Sequence, residues 1–370
     1  MKRILLFNND AWTTWKHRRG IIRFLEQNGL EVIVLAGEEK KYSSFLHSNF
    51  NFIPLTSMNT TGINPFEERK LYKEVASVYH KVRPDIVMHY TMKPNIYGGM
   101  ICGKMGIPYI STINGLGRTF LKKGISSRIM ISLLKKGLKN AEKVFFQNND
   151  DLQLFESIGV LSSHKAVRVK GSGVNLNEWD GHMTFRPPTE RHFLFAARLI
   201  PEKGVMEFIE IAKLLKPLYP KSVFRIVGPV VDSRITVSLL RTYDQQGLIS
   251  FGGETDDMKT EFSHCDVVVL PTYYREGIPK VLIEALASGK PIITTDFTGA
   301  RETIDSGKNG ILIAPQNIHD LREAVEKVNS LDSSILAEMG RNSRILAEKE
   351  FDENMVYEKY LQTIRSIACS

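Results

Sequence analysis

The feature that most constrains the fold of this chain is an alternation, repeated over its whole length, of short apolar segments with amphipathic helical segments. Segments such as residues 4–7 and 267–270 are continuous apolar runs, which are typical of strands buried on both faces of a parallel sheet. Most of these runs are followed by a segment whose apolar residues have helical spacing. The sequence therefore predicts a doubly wound α/β fold.

The predicted elements fall into two similar halves. In the first half, strands are predicted at residues 4–7, 32–35, 86–89, 109–113, 144–146 and 167–169, and helices at residues 17–28, 65–82, 94–105, 126–140 and 150–158. In the second half, strands are predicted at residues 193–196, 223–227, 249–251, 267–270, 292–295 and 310–313.

The joint between the halves is predicted at residues 171–188, which are rich in Gly, Pro and polar residues. We therefore predict two Rossmann-like domains facing across a cleft, an N-terminal one over residues 1–180 and a C-terminal one over residues 181–350. The last helix, residues 351–370, is expected to cross back to the N-terminal domain.

Two carboxylates stand eight residues apart in the C-terminal half, at Glu276 and Glu284. They follow the predicted strand at residues 267–270, and Pro279 stands where the next helix would begin. Glu276 is thus expected in a strand-to-helix turn and Glu284 in the second turn of the helix. The carboxyl edge of a parallel sheet is where ligands bind, and helix N–H groups there favour a phosphate. The alternative is purely structural, because acidic residues near a helix start stabilise it through the helix dipole.

Other segments occur in a consistent order around these carboxylates. Arg198 and Lys203 follow the predicted strand at residues 193–196 and precede a predicted helix. A strand at residues 292–295 and a Gly-containing loop, Thr298-Gly299-Ala300, come after the carboxylates. Together these segments resemble the E-x7-E motif and the R-x4-K signature of retaining, family-4-type glycosyltransferases of the GT-B fold, also called glycosyl transferases group 1.

The resemblance implies a role for each residue. Glu284 would hold the ribose hydroxyls of a nucleotide sugar, Glu276 the hydroxyls of its sugar, and Arg198 with Lys203 its diphosphate. Catalytic roles are implied for Glu276, Lys203 and Arg198. The other implied donor contacts are at Gly277, Ile278, Lys280 and Val281.

A second set of residues lies in the N-terminal half, after the predicted strands at residues 86–89 and 109–113. These segments resemble the bacterial branch that builds surface polysaccharides, such as O-antigen or capsule, and protein-linked glycans on a polyprenyl diphosphate. Asn114 stands where many members of the wider family carry His. The acceptor side is expected at Lys93, Asn114, Gly115, Gly117 and Arg118.

Several other chemistries find no support in the sequence. No Asp-x-Asp, HExxH, GxSxG, GxxxxGK[ST] or GxGxxG occurs, which argues against a metal clamp, a zinc protease, a serine hydrolase, a P-loop enzyme and a nicotinamide enzyme. We expect no metal and no cofactor besides the nucleotide sugar, which the resemblance implies is a UDP-sugar. The three cysteines are scattered, as is usual in a reducing compartment.

Positive charge is concentrated in the first half. Residues 1–180 contain 26 Lys and Arg against 15 Asp and Glu, a net of +11, whereas the remainder has a net of −3. A solvated helix face explains each basic cluster taken alone; the clusters are Lys16 to Arg19, Arg118 with Lys122 and Lys123, and Lys135 and Lys136 with Lys139. An excess in one domain favours an anionic partner. With too short an apolar run for a signal peptide and no stretch of about 20 apolar residues, we expect a cytoplasmic protein peripheral on the inner face of the membrane. No nucleic-acid motif is present.

The function expected from these observations is transfer of a hexose or N-acetylhexosamine, with retention, from a UDP-sugar to a polyprenyl-diphosphate-linked saccharide. Three alternatives remain open at this point. The first is a UDP-sugar 2-epimerase, which shares the GT-B architecture, and the second is a glycosidase, which also uses two carboxylates. The third is a noncatalytic sugar-binding module, although such a module would need no diphosphate clamp.

Overall fold

The computed structural model describes residues 2–59, 64–117, 124–181 and 183–368. It divides into two compact units, one of residues 1–172 with 354–370 and one of residues 173–353. Each unit contains its own parallel sheet, so the predicted α/β class with two Rossmann-like domains is confirmed.

In the described part of the first unit, seven parallel strands are arranged in the order β3-β2-β1-β4-β5-β6-β7. The strands are β1 (Arg3–Asp10), β2 (Glu31–Gly37), β3 (Asn51–Leu55), β4 (Ile86–Tyr90), β5 (Tyr109–Ile113), β6 (Lys143–Phe146) and β7 (Ala166–Arg168). The helices are α1 (Ala11–Gln27), α2 (Lys40–Asn49), α3 (Pro65–Val82), α4 (Gly99–Met105), α5 (Ile125–Leu138) and α6 (Asn149–Ser157), and the C-terminal helix of the chain, Glu353–Ala368, adds to this unit.

Both faces of this sheet are buried. Along β1, Ile4 and Leu6 belong to one apolar core and Leu5 and Phe7 to another, because successive side chains of a strand point to opposite faces. The C-terminal helix packs into the first of these cores, through apolar residues that include Tyr360.

In the second unit, the described strands are arranged in the order β10-β9-β8-β11-β12-β13. They are β8 (His192–Ala196), β9 (Val223–Val227), β10 (Ser250–Gly253), β11 (Val267–Leu270), β12 (Ile292–Thr295) and β13 (Gly310–Ile313). The helices are α7 (Val205–Leu215), α8 (Val237–Gln245), α9 (Met258–His264), α10 (Lys280–Ala287), α11 (Ile318–Ser330) and α12 (Ser333–Glu350); the C-terminal helix is α13. The chain reverses its direction across the sheet at β8, so the carboxyl ends of β8 and β11 form a topological switch point, the usual ligand position in such sheets.

Three features differ from the sequence prediction. Helix α2 and strand β3 were not predicted. Strand β3 is an edge strand that carries Pro54 and polar Asn51, a composition that an edge tolerates and a central strand does not. Helix α1 begins at Ala11, six residues earlier than predicted, because the Asp10 side chain accepts a hydrogen bond from the Thr13 backbone N–H at 2.7 Å.

The second unit begins at Gly173, which lies within the predicted joint of residues 171–188 but before the predicted domain boundary at residue 181. Val174 is fully buried in the core of the second unit. Its N–H donates to the Phe351 carbonyl at 2.7 Å, and its carbonyl accepts from the Glu353 N–H at 3.1 Å. These bonds tie residues 173–180 to the end of the second unit, and they extend that unit to Glu353.

Candidate functional site

Two loops meet at the switch point of the second sheet. One joins β8 to α7 and contains Arg198 and Lys203; the other joins β11 to α10 and contains Glu276. The Glu202 carbonyl accepts hydrogen bonds from the Tyr273 N–H at 2.8 Å and from the Thr272 hydroxyl at 3.3 Å. These bonds, one from a backbone N–H and one from a side-chain hydroxyl, join the two loops.

Glycine makes the close contact between these loops possible. Gly204 has a φ of +84°, and a Cβ at this position would overlap the Pro271 carbonyl group. The positive φ and the lack of space both require glycine here. This places the preceding residue, Lys203, against the end of β11.

Lys203 and Glu276 form an ion pair across the two loops, although they lie 73 positions apart in sequence. The Lys203 side chain is 7% exposed and that of Glu276 is 19% exposed. Burial lowers the pKa of Lys203 below its ordinary value, the Glu276 carboxylate opposes this, and the positive charge of Arg198 adds to the lowering. The pair is thus a strongly shielded charge centre.

Arg198 lies beside this pair but is exposed to solvent. Its guanidinium lies over the Tyr274 ring, with Cζ 5.5 Å from the ring centroid, and the Lys203 Nζ is also 5.5 Å from that centroid. The two cations predicted to hold a diphosphate therefore lie at the same aromatic ring.

The predicted positions of the two carboxylates relative to the helix agree with the structure. Glu276 lies in the turn after β11, α10 begins at Lys280 directly after Pro279, and Glu284 is in the second turn of α10. The first N–H groups of a helix have no acceptor within it, so the start of α10, four residues after Glu276, can bind an anion.

The Gly-containing loop after β12 packs directly on the Glu276 turn. Gly299 has a φ of +79°, and a Cβ there would overlap the Gly277 carbonyl and lie 2.9 Å from the Glu276 carbonyl oxygen. The loop predicted downstream of the carboxylates thus forms the support of the turn that carries one of them.

Three of the predicted donor residues direct their side chains elsewhere. Ile278 is 5% exposed and belongs to the apolar core, and Val281 packs against the same core. The Lys280 ammonium donates to the Gly173 carbonyl at 2.6 Å, which ties α10 to the start of the second unit. Contacts from Ile278 and Val281 to a donor would have to use the backbone, and donor binding by Lys280 stays a prediction.

The predicted acceptor-side residues of the first unit differ in their surroundings. The Lys93 ammonium pairs with the Glu68 carboxylate and donates to the Asn59 carbonyl, at 2.6 Å in each case, so this charge has a partner within the unit. Gly115 and Gly117 have φ values of +117° and +63°, the left-handed region that glycine adopts readily. Arg118 lies outside the described residues, as do Lys122 and Lys123.

Asn114 contacts a residue that the sequence analysis did not identify as a candidate. With its amide oriented to satisfy both its groups, Asn114 donates to the Thr112 carbonyl at 3.2 Å and accepts from the Arg18 guanidinium. Arg18 is only 7% exposed and lies over the Tyr90 ring at 4.2 Å. Among the described residues no carboxylate pairs with it, so this edge of the first sheet carries a buried positive charge.

The position of Arg18 on the buried face of α1 could have been recognised from the helical spacing of the sequence. The sequence analysis grouped it with a surface basic cluster, but the buried residues of α1 include Thr14, Arg18, Ile21, Ile22 and Leu25, which follow the spacing of one helix face. A basic residue at a position with the spacing of this apolar face indicates a buried cation.

No group of three or more His, Cys, Asp or Glu side chains that could hold a metal ion occurs within the described ranges. The helices of those ranges also include none with the length and apolar character required to span a bilayer.

Comparison with known proteins agrees with the geometry. Residues 183–345 match the family Glycosyl transferases group 1, and residues 3–148 match the family Glycosyl transferase 4-like. The chain belongs to the group 1, family-4-like glycosyltransferases. The family resemblance deduced from the sequence motifs is thereby confirmed.

Two curated relatives of this glycosyltransferase extend over nearly all of it. It is 26% identical to the N,N'-diacetylbacillosaminyl-diphospho-undecaprenol alpha-1,3-N-acetylgalactosaminyltransferase of Campylobacter jejuni, over 97% of each chain. It is 23% identical to the capsular polysaccharide biosynthesis glycosyltransferase CapM of Staphylococcus aureus, over 92% of this chain and 91% of CapM.

Solved structures establish the GT-B fold. The glycosyltransferase is similar to HepE of Anabaena, determined in complex with UDP and glucose, with a TM-score of 0.80 and 17% identity over 99% of this chain and 100% of HepE. It is also similar to sucrose-phosphate synthase of Thermosynechococcus elongatus, with a TM-score of 0.79 and 17% identity over 100% of both chains.

Proposed function

We propose that this glycosyltransferase moves a hexose or N-acetylhexosamine, with retention of configuration, from a UDP-sugar to a polyprenyl-diphosphate-linked saccharide. The observation that carries the proposal is the convergence of Arg198, Lys203 and Glu276 at the switch point of the second sheet. Relatives that act on an undecaprenol-linked saccharide or in capsule synthesis support the acceptor class.

The chemistry of sugar transfer fits these residues. As the bond to the anomeric carbon breaks, negative charge grows on the departing diphosphate, and preorganised positive charge stabilises that change. Lys203 and Arg198 supply two cations, and α10, whose first N–H groups can add to them, begins four residues after Glu276. In the proposed front-face mechanism the β-phosphate oxygen accepts the proton of the acceptor hydroxyl, so the protein needs no separate base.

The carboxylates have separate roles in this proposal. Glu276 holds the sugar hydroxyls next to the diphosphate clamp. Glu284 lies in the second turn of α10 and holds the ribose hydroxyls. Because the ammonium of Lys203 is paired with Glu276 before the donor binds, the donor diphosphate has to draw Lys203 toward itself. That exchange leaves Glu276 to accept hydrogen bonds from the sugar.

The proposal also includes metal-independent activity and attachment to a membrane surface. Protein cations take the place of a metal on the diphosphate, and a basic face of the first unit attaches the protein reversibly to the inner face of the cytoplasmic membrane, where its lipid-linked acceptor lies.

The test is an assay with a panel of UDP- and GDP-sugars, with and without an undecaprenyl-diphosphate-linked saccharide. We expect nucleotide release that requires the acceptor, at least a hundredfold loss in Lys203→Ala, and near-normal turnover in Lys221→Ala, a control lysine that is 73% exposed. Epimerisation or hydrolysis without acceptor would contradict the proposal. In excess EDTA, a loss of more than about tenfold, roughly 1.4 kcal/mol of barrier, would contradict the metal-free clamp.

A further inference from the structure

Tyr274 stands out because it touches both cations of the proposed diphosphate clamp while none of the assigned roles uses it. The Arg198 Cζ and the Lys203 Nζ each lie 5.5 Å from the centroid of its ring. This is within the distance of about 6 Å at which an aromatic face attracts a cation electrostatically.

For Arg198 this contact decides the orientation of the side chain. Arg198 is exposed, and among the described residues its guanidinium has no hydrogen-bond or ion-pair partner. A long exposed side chain without a partner samples many rotamers, and ordering it on binding costs free energy. The Tyr274 ring reduces that cost by holding the guanidinium beside Lys203.

The backbone of Tyr274 is held in place by the hydrogen bonds that join the two loops. The Tyr274 N–H donates to the Thr272 hydroxyl at 3.2 Å, and that hydroxyl donates to the Glu202 carbonyl. Glu202 directly precedes Lys203 in the sequence. The hydrogen bonds that join the two loops therefore also hold the backbone of Tyr274 beside the loop that carries both cations.

An aromatic ring has an advantage over a carboxylate at this position. Arg198 and Lys203 repel each other, and the repulsion contributes to the lowered pKa of Lys203. A second carboxylate would remove the repulsion but would compete with the donor for both cations. The ring attracts cations more weakly than an ion pair does and leaves their hydrogen-bond donors available to phosphate oxygens.

We propose that Tyr274 is a positioning residue, which holds Arg198 and Lys203 ready to bind the diphosphate of the nucleotide sugar. The proposal rests on the proposed function, in that it assigns Tyr274 to the same donor site. If the proposal is right, Tyr274 affects ligand binding through the face of its ring, and it affects only the binding of the diphosphate part.

The experiment is isothermal titration calorimetry with UDP, combined with competition binding of uridine, which lacks the diphosphate. Tyr274→Leu is expected to weaken UDP binding about fivefold to thirtyfold, the combined range of two cation–π contacts, and to leave uridine binding within twofold. Tyr274→Phe keeps the ring face and is expected to bind UDP within about twofold of wild type. The matched control is Tyr273→Leu, which truncates the neighbouring tyrosine and is expected to leave UDP binding near wild type.

A further substitution keeps the test valid if Tyr274→Leu does not fold. Pentafluorophenylalanine at position 274 preserves the ring but reverses its charge distribution, so UDP binding should be weaker than in Tyr274→Phe. Equal UDP affinity in those two proteins, or a parallel loss of UDP and uridine binding in Tyr274→Leu, would overturn the inference while leaving the proposed function intact. Failure of the wild type to bind UDP would instead overturn the proposed donor site itself, and the inference with it.

Discussion

At the scale of single residues, the charge of Lys203 depends on the carboxylate beside it. Burial favours the neutral amine and lowers the pKa of Lys203, whereas the Glu276 carboxylate favours the ammonium form. Only the ammonium form stabilises a diphosphate. The two residues that the sequence motifs treat separately are therefore one electrostatic unit, in which Glu276 helps to keep Lys203 protonated.

This coupling predicts a change in pH dependence. UDP affinity should fall as pH rises through the lowered pKa of Lys203, because the ammonium is lost there. Glu276→Gln removes the charge that raises this pKa, so the alkaline fall should begin at a lower pH than in wild type. Titrations with UDP at a series of pH values measure this shift, with Glu210→Gln, a half-exposed glutamate on α7, as the control. An unmoved or upward-shifted alkaline fall would contradict the coupling.

The two glutamates should also differ in kinetics. Glu284 is proposed to bind the ribose equally in the ground and transition states, so Glu284→Ala should raise the donor KM about tenfold to a hundredfold with a smaller change in kcat. Glu276 lies nearer the reacting sugar, so Glu276→Ala should lower kcat by about 10²–10³. Steady-state kinetics, with circular dichroism to verify folding, separate the two.

If both residues only stabilised α10 through the helix dipole, each substitution would cost at most about 1 kcal/mol of stability. Near-normal turnover in both variants would therefore show that the two glutamates only stabilise the helix and do not bind the donor.

At the scale of elements, the turn that carries Glu276 depends on its neighbour, the loop after β12. Gly299 contacts the Gly277 carbonyl so closely that no Cβ fits between them. The conformation of the Glu276 turn is thus set by packing of one loop on another, and a methyl group placed outside the turn can displace it.

The matched glycine pair for this test is Gly299 and Gly307, whose φ values are +79° and +78°. A Cβ at Gly307 meets no atom within 4 Å, so Gly307→Ala should cost about 1 kcal/mol of unfolding free energy from backbone strain alone and leave UDP binding unchanged. Gly299→Ala should cost more and weaken UDP binding as well. Urea unfolding and calorimetry measure both quantities, and equal effects of the two substitutions would show that the contact does not support the turn.

The sequence predicted some elements well and others not at all, for physical reasons. The positions of Glu276 and Glu284 follow from a buried strand, a proline and a helix, which are all local signals. Strand β3 was missed because Pro54 on an edge strand reads as a break. The contact of Tyr274 with two cations depends on the meeting of two loops more than 70 residues apart, and no local pattern records such a contact.

At the scale of the whole molecule, positive charge is concentrated in the first half of the chain, which has a net charge of +11 over residues 1–180. Part of this charge is available at the surface, because α5 exposes Arg128, Lys135 and Lys136, with Lys139 following directly. An apolar side chain of the same helix, Ile129, is 54% exposed. This combination of exposed cations on a helix is suited to an anionic membrane surface.

We therefore expect salt-sensitive binding to vesicles that contain phosphatidylserine. Because each cation near such a surface contributes about 1 kcal/mol, Lys135→Glu with Lys136→Glu should weaken binding at least tenfold. The control, Lys259→Glu with Lys349→Glu, makes the same charge change at exposed positions of the second unit and should have little effect. Co-sedimentation that does not change between low and high salt would contradict electrostatic attachment.

The central claim is that the Arg198, Lys203 and Glu276 cluster carries out retaining transfer from a nucleotide sugar to a lipid-linked acceptor. The most direct measurement is proton NMR of the product formed from an α-linked UDP-sugar and an undecaprenyl-diphosphate-linked saccharide, which reports the configuration of the new bond. The account predicts an α-linked product, formed by the wild type and reduced at least a hundredfold in Glu276→Ala. A β-linked product, or an α-linked product formed equally well by Glu276→Ala, would contradict it.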